Sequence, residues 1–237
     1  MSWGELRTKI FADGADLPTM VALASDPRIA GFTTNPTLMR QAGHTAYEAF
    51  AHKLLELVTE HPISFEVCAD DAESIRRQAH TIASWAENVY VKVPVTTTSG
   101  ESLADVVRDL SLDGIKVNVT ALFTIPQVEV MVTALQDGAP ACISVFAGRI
   151  ADAGVDPVPI MAEAVGILNA RSHAELIWAS PREIFNLVQA NSVGCHIITM
   201  TPDLLKKLDG LGKDLERFSL ETVQMFHRDA TAAGLSL

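Results

Sequence analysis

A chain of 237 residues, 48% apolar and 20% charged, is long enough for one large domain around a substantial core, and its balance is that of a compact fold and excludes a disordered or fibrous chain. The formal charge of -11 repels nucleic acid phosphates on average, and no run of Lys and Arg offsets it, so nucleic acid is excluded as a partner. A small anion is not excluded, because a few converging arginines suffice to hold one.

Cys68, Cys142 and Cys195 are odd in number, far apart and outside any C-x-x-C spacing. That speaks against a disulfide framework or a zinc site and for a reducing, cytoplasmic setting. The N-terminal stretch up to Leu17 has no apolar core behind a basic run, and no segment of about 20 apolar residues occurs anywhere, so neither a signal peptide nor a membrane span is expected.

Short β-rich runs recur along the chain, most of them followed by apolar residues at helical spacing. Lys9 to Ala12 is closed by Asp13, and Gly31 to Thr34 holds Thr33 just before Asn35; both runs are weak signals taken alone. An amphipathic stretch from Thr45 to Glu60 leads to Ile63 to Val67, which carries Glu66, and a second from Ala72 to Ala86 leads to Val89 to Val93, which carries Lys92. Ile115 to Thr120 ends in Asn118 and Thr120, and Ala141 to Phe146 holds Ser144 and Phe146, with Arg149 just beyond. Leu176 to Ala179, again weak alone, precedes Ser180 and Arg182, and Cys195 to Met200 is the eighth run. A last helix, with an apolar stripe of Leu215, Phe218, Leu220, Val223 and Phe226, spans 213–234 and is expected to pack on the main body or on a neighbouring subunit.

Strand and helix alternate, which implies a parallel sheet, and eight units in this length favour a closed (β/α)8 TIM barrel over an open flavodoxin-like or Rossmann sheet. No linker or internal repeat divides the chain, so residues 1–237 read as one barrel domain with an additional C-terminal helix. In such a barrel chemistry sits at the carboxyl ends of the strands, which is where these polar residues fall.

Lys92 is the most informative of them, because in Val89-Tyr90-Val91-Lys92-Val93-Pro94 an ammonium interrupts a run suited to burial on both faces. Desolvation disfavours a charged lysine, and a neutral amine attacks carbonyls; the plainer alternative is an outward lysine whose stem covers apolar surface. Glu66, flanked by apolar strand residues, must be paired, hydrogen-bonded or neutralised if it points inward. Asp13 reads equally well as the cap of a turn in Phe11-Ala12-Asp13-Gly14. Asn118 and Thr120 share one strand face, which suits either a hydroxyl-bearing ligand or cross-strand pairing. Arg149 and Arg182 could jointly clamp an anion, although each alone reads as a surface arginine. None of the seven histidines forms a compact ligand cluster in sequence, so no metal and no cofactor are expected.

In order along the chain, Phe11-Ala12-Asp13, Gly31-Phe32-Thr33-Thr34-Asn35-Pro36-Thr37, Val91-Lys92-Val93-Pro94-Val95-Thr96, Val117-Asn118-Val119-Thr120-Ala121, Ser144-Val145-Phe146-Ala147-Gly148-Arg149-Ile150 and Ala179-Ser180-Pro181-Arg182 resemble the transaldolase family, in its short branch near the fructose-6-phosphate aldolases. The resemblance implies a transferase that moves a three-carbon dihydroxyacetone unit from a ketose phosphate to an aldose phosphate through a Schiff base on Lys92. It assigns Asp13 the C4 hydroxyl proton, and Glu66 with Thr120 a proton shuttle through a held water. Asn35, Asn118 and Ser144 would hold hydroxyls of the three-carbon unit, and Arg149 and Arg182 the phosphate. It further implies an assembly of several subunits of this one chain, with the last helix contributing to contacts.

The aldolase branch resembles this pattern with Gln at the position of Glu66 and Tyr at that of Phe146, so both residues here are of the transferase type. Departures are Gly14 where a small hydroxyl residue commonly follows the Asp, Val145 in place of a proline and Pro181 where an aromatic often precedes the Arg; Pro181 leaves open whether the anion is phosphate or another, such as a sulfonate. The alternatives are a fructose-6-phosphate aldolase that releases free dihydroxyacetone and a non-catalytic barrel that binds sugar phosphates.

Overall fold

The structure, a computed structural model, describes residues 6–235. The first five residues of the N-terminal stretch considered above and the last two of the chain fall outside them. Eight parallel strands close on themselves in sequence order: β1 (Lys9–Asp13), β2 (Ile29–Thr33), β3 (Ile63–Glu66), β4 (Val89–Pro94), β5 (Val117–Leu122), β6 (Cys142–Val145), β7 (Glu175–Trp178) and β8 (Ile197–Met200), with β8 returning to pair β1. This is the (β/α)8 barrel expected from the alternation, and the three runs that were weak alone all take their places in it.

The helices are α1 (Leu17–Leu23), α2 (Pro36–Gln41), α3 (Tyr47–Leu57), α4 (Ala72–Ala83), α5 (Ala104–Leu112), α6 (Ile125–Ala134), α7 (Ala147–Asp152), α8 (Pro157–Arg171), α9 (Phe185–Ser192), α10 (Pro202–Leu205) and α11 (Leu215–Ala232). Their starts follow from side chains that accept from orphan amides: Asp16, Asn35, Asp71, Asp156 and Asp214 each cap a helix, and Thr124 with Gln127 forms a reciprocal capping box. Each such cap stabilises its helix by about 1 kcal/mol.

Two strands begin two residues later than the apolar runs suggest, and the reason is the same in both. After α5 and α9 the chain turns on Gly114 (φ 84°) and Gly194 (φ 74°), and the next amide still closes the helix, Ile115 onto the Leu110 carbonyl and Cys195 onto that of Ala190. β5 therefore starts at Val117, and β8 starts at Ile197.

The strand period of two sorts the residues into two cores. Val89, Val91 and Val93 of β4 and Val117 and Val119 of β5 face outward into the large cluster under the helices. Phe11, Cys142, Ile177 and Ile197 form a second, small cluster inside the barrel. A Cβ at position 31 would stand 2.6 Å from the Phe11 ring, so Gly31 is what lets that ring lie across the lumen. Above this floor the inward positions turn polar.

The C-terminal helix behaves differently from the rest. None of the residues of α11 is buried, and Leu215 and Phe226 are 80% and 63% exposed. All five residues of its apolar stripe are exposed in the single chain. Among the described residues no helix is long and apolar enough to cross a membrane.

Candidate active site

Strand register builds the site. Glu66 on β3 is the register partner of Lys92 on β4, Lys92 that of Asn118 on β5, and Asp13 on β1 that of Thr33 on β2. Partners in register share a face, so an ammonium and two carboxylates all point into the lumen toward the carboxyl ends of the strands.

Lys92 is 6% exposed, and its Nζ lies 3.2 Å from Glu66 Oε2 and donates to the Thr34 carbonyl at 2.9 Å. A charge this deep is tolerated only when paired and hydrogen-bonded, and both conditions are met from neighbouring strands. The outward, stem-covering lysine is not what the chain adopts. Asp13 Oδ1 accepts from the Thr33 hydroxyl at 2.8 Å. Burial pushes its carboxyl above the ordinary 3.8, helped by the nearby Glu66 charge, while Lys92 and the Thr33 bond pull the other way.

These groups open into a cavity of about 440 Å³. Asp13, Thr33, Asn35, Glu66, Lys92 and Thr120 line one side of it, and Ser144, Phe146, Arg149, Ser180 and Arg182 the other. Thr120 Oγ1 is buried and makes no hydrogen bond. Asn118 does not reach this cavity. It is wholly buried below it, donating to Ser64 Oγ at 3.0 Å and accepting from Ser144 Oγ at 2.8 Å. These two bonds pair it across the strands to Ser64 and to Ser144. Asn35 serves as the cap of α2 through Oδ1, at 3.0 Å from the Leu38 amide.

The two arginines are not equivalent. Arg149 lies over the Phe146 ring, 5.3 Å from its centroid, with its guanidinium in the cavity wall. Arg182 is held by Asp152, its Nε donating to both carboxylate oxygens at 3.0 Å and its Nη2 making a further short contact. That pairing draws the Asp152 carboxyl below its usual range.

The far rim is built on backbone that only particular residues permit. A Cβ at Gly148 would stand 1.6 Å from the Ser180 carbonyl oxygen, so α7 can dock against the strand β7 exit only with glycine there. Ser180 (φ 60°) and Ala121 (φ 64°) both hold left-handed backbone within the cavity wall, a strain of about 1–3 kcal/mol each that clusters at functional sites.

Two participants were not singled out from the sequence. Tyr47, at the start of α3, uses its hydroxyl to donate to the Glu66 carbonyl at 2.9 Å and to accept from the Glu66 amide at 2.7 Å, fixing the end of β3. Thr199 on β8 lines the cavity, and its Oγ1 lies 2.5 Å from that of Thr33. In Ile197-Ile198-Thr199-Met200 it is the one polar residue, on the inward face of Ile197, and that alternation was the available signal. Among the described residues no group of three or more His, Cys, Asp or Glu is placed to hold a metal ion.

Fold and site together define a β/α-barrel enzyme with a polar, lysine-bearing pocket at the carboxyl ends of its strands. The family described as Transaldolase/Fructose-6-phosphate aldolase matches residues 10–237. A protein named "Probable transaldolase" from Streptococcus equi subsp. zooepidemicus is 35% identical over 201 residues, 84% of this chain and 89% of its own. "Probable transaldolase 2" from Listeria monocytogenes is 34% identical over 222 residues, 89% of this chain and 97% of its own. A third, "Probable transaldolase" from Methanococcus maripaludis, is 33% identical over 84% of this chain and 89% of its own. The chain belongs to the transaldolase/fructose-6-phosphate aldolase family, which sets it in carbohydrate metabolism.

Proposed function

We propose that this protein is a transaldolase, carrying a dihydroxyacetone unit from a ketose phosphate such as fructose or sedoheptulose phosphate to an aldose phosphate. The observation that carries the reading is the buried Lys92 amine, 3.2 Å from Glu66 Oε2, at the head of a pocket that also holds Asp13. The ammonium passes a proton to Glu66, and the freed amine adds to the C2 carbonyl. The carbinolamine loses water, with Glu66 returning the proton to the leaving hydroxyl and Thr120 Oγ1 holding the water.

Asp13 then takes the proton of the C4 hydroxyl. The C3–C4 bond breaks, its electrons flow into the iminium, and the aldose phosphate leaves while an enamine stays on Lys92. The enamine C3 attacks the carbonyl carbon of an acceptor aldose, Asp13 gives its proton to the new C4 alkoxide, and water hydrolyses the imine. Arg149 on its Phe146 platform and Arg182 at the rim hold the phosphate end.

Transfer is favoured over release of free dihydroxyacetone because Phe146, at the wall of the pocket, has no hydroxyl with which to protonate the enamine. The test is borohydride reduction in the presence of fructose 6-phosphate, followed by mass spectrometry of the digested protein. A reduced three-carbon or six-carbon adduct on Lys92 is expected, and none should form on any other lysine. A protein that binds the sugar without trapping would be the non-catalytic barrel. Dihydroxyacetone accumulating without an acceptor would make it an aldolase.

A further inference from the structure

Behind Asp13 stand two hydroxyls that the reaction scheme leaves unused, those of Thr33 and Thr199. The Thr33 hydroxyl has one proton, and it is given to Asp13 Oδ1 at 2.8 Å. The 2.5 Å contact between Thr33 Oγ1 and Thr199 Oγ1 must then run the other way, with Thr199 donating. The order is Thr199 to Thr33 to Asp13. Both threonines are buried, at 2% and 6% exposure, and each has the other as its hydroxyl partner.

We propose that Thr199 is a positioning residue for the base: its hydroxyl supports the ionised carboxylate of Asp13 through Thr33, and the two hydroxyls reverse their donor order when Asp13 takes the substrate proton. In the reversed state Asp13 donates to Thr33, and Thr33 donates to Thr199. The proton from the C4 hydroxyl stays on Asp13 throughout and returns to the alkoxide of the product, so the threonines turn but exchange nothing with solvent. A hydroxyl that accepts a bond becomes a better donor, which is why the second threonine matters to the first.

The inference rests on the Lys92 reading, and the charged groups facing Asp13 are Lys92 from β4 and Glu66 from β3, while β2 and β8 supply only the two hydroxyls. Thr199→Val keeps the shape and removes both donor and acceptor. It should lower kcat roughly tenfold, short of the 10²–10⁴ that loss of a base costs, with KM unchanged. The acid limb of the kcat profile should move to higher pH, as Thr33 becomes the weaker donor. Thr199→Ser should restore both.

Borohydride trapping of Thr199→Val should still label Lys92, which shows that the pocket is assembled. Trapping with an unmoved acid limb overturns the relay and leaves the imine reading standing. A raised KM with unchanged kcat also overturns it and makes Thr199 a substrate contact. Absence of any adduct in the unaltered protein removes the imine reading and the relay with it.

Discussion

The barrel mouth and the C-terminal helix depart from the usual sorting of residues in opposite senses. At the mouth an ammonium, two carboxylates and several hydroxyls lie inside, and in α11 Leu215, Phe218, Leu220, Val223 and Phe226 lie outside. The first departure is compensated within the chain: Lys92 has Glu66 and Thr34, Asp13 has Thr33, and Asn118 has Ser64 and Ser144. The second has no such compensation in one copy of the chain, since no residue of α11 is buried. Polar burial answered by specific partners belongs to a site; apolar exposure with no cover belongs to a surface.

The largest effect that could break the comparison is at Lys92. Lys92→Met should cut turnover on the order of 10⁵-fold or more, the scale on which removing a covalent nucleophile acts, and abolish the borohydride adduct while far-ultraviolet circular dichroism stays that of the folded barrel. Measurable residual transfer within a hundredfold of the unaltered enzyme would show that the buried amine is structural.

Asp13 comes next. Asp13→Asn should reduce kcat by about 10²–10⁴, as for a lost general base, and raise thermal stability at the same time. A carboxyl whose pKa is raised in the folded state binds more protons folded than unfolded, so stability falls as pH climbs from the ordinary 3.8 to the folded value and the full penalty holds above it. The gain in Tm from the Asn variant should therefore be greatest at pH 7 and shrink as the pH approaches 4. A variant less stable than the parent at pH 7 would mean that the ionised form is favoured by its surroundings and that the burial argument is wrong.

The mouth was legible in sequence where one residue contradicts its own neighbourhood. Lys92 and Glu66 stand out because each interrupts an apolar run, although strand period says only which residues share their face and leaves open whether that face is the inner one. Asp13 does not stand out, because a carboxylate before Gly14 is equally a turn, and only its pairing with Thr33 across two strands decides between the two. Tyr47 was hidden for the opposite reason: at the start of an amphipathic helix an aromatic reads as core, and its double bond to the Glu66 backbone spans 19 positions. Asp152 gave no signal either, since its hold on Arg182 depends on how α7 packs against the exit of β7. What the sequence did not reveal is, in each case, a contact between elements whose separate patterns were ordinary.

The smallest expected effect tests the other side of the comparison. If α11 stands uncovered, replacing a residue of its stripe removes nothing that packs, and Phe226→Ser should change unfolding free energy by no more than about 0.5 kcal/mol, as for other surface positions. The family resemblance implies instead that further copies of the chain cover the stripe. In that case the same substitution should lower Tm in a manner that depends on protein concentration, because the partner binds only the folded state, and should shift the sedimentation coefficient toward the single chain. Denaturant titrations of Phe226→Ser at two protein concentrations separate the cases. Concentration-dependent loss assigns the exposed apolar face to an interface, and an unchanged midpoint leaves it a solvated helix that the barrel does not need.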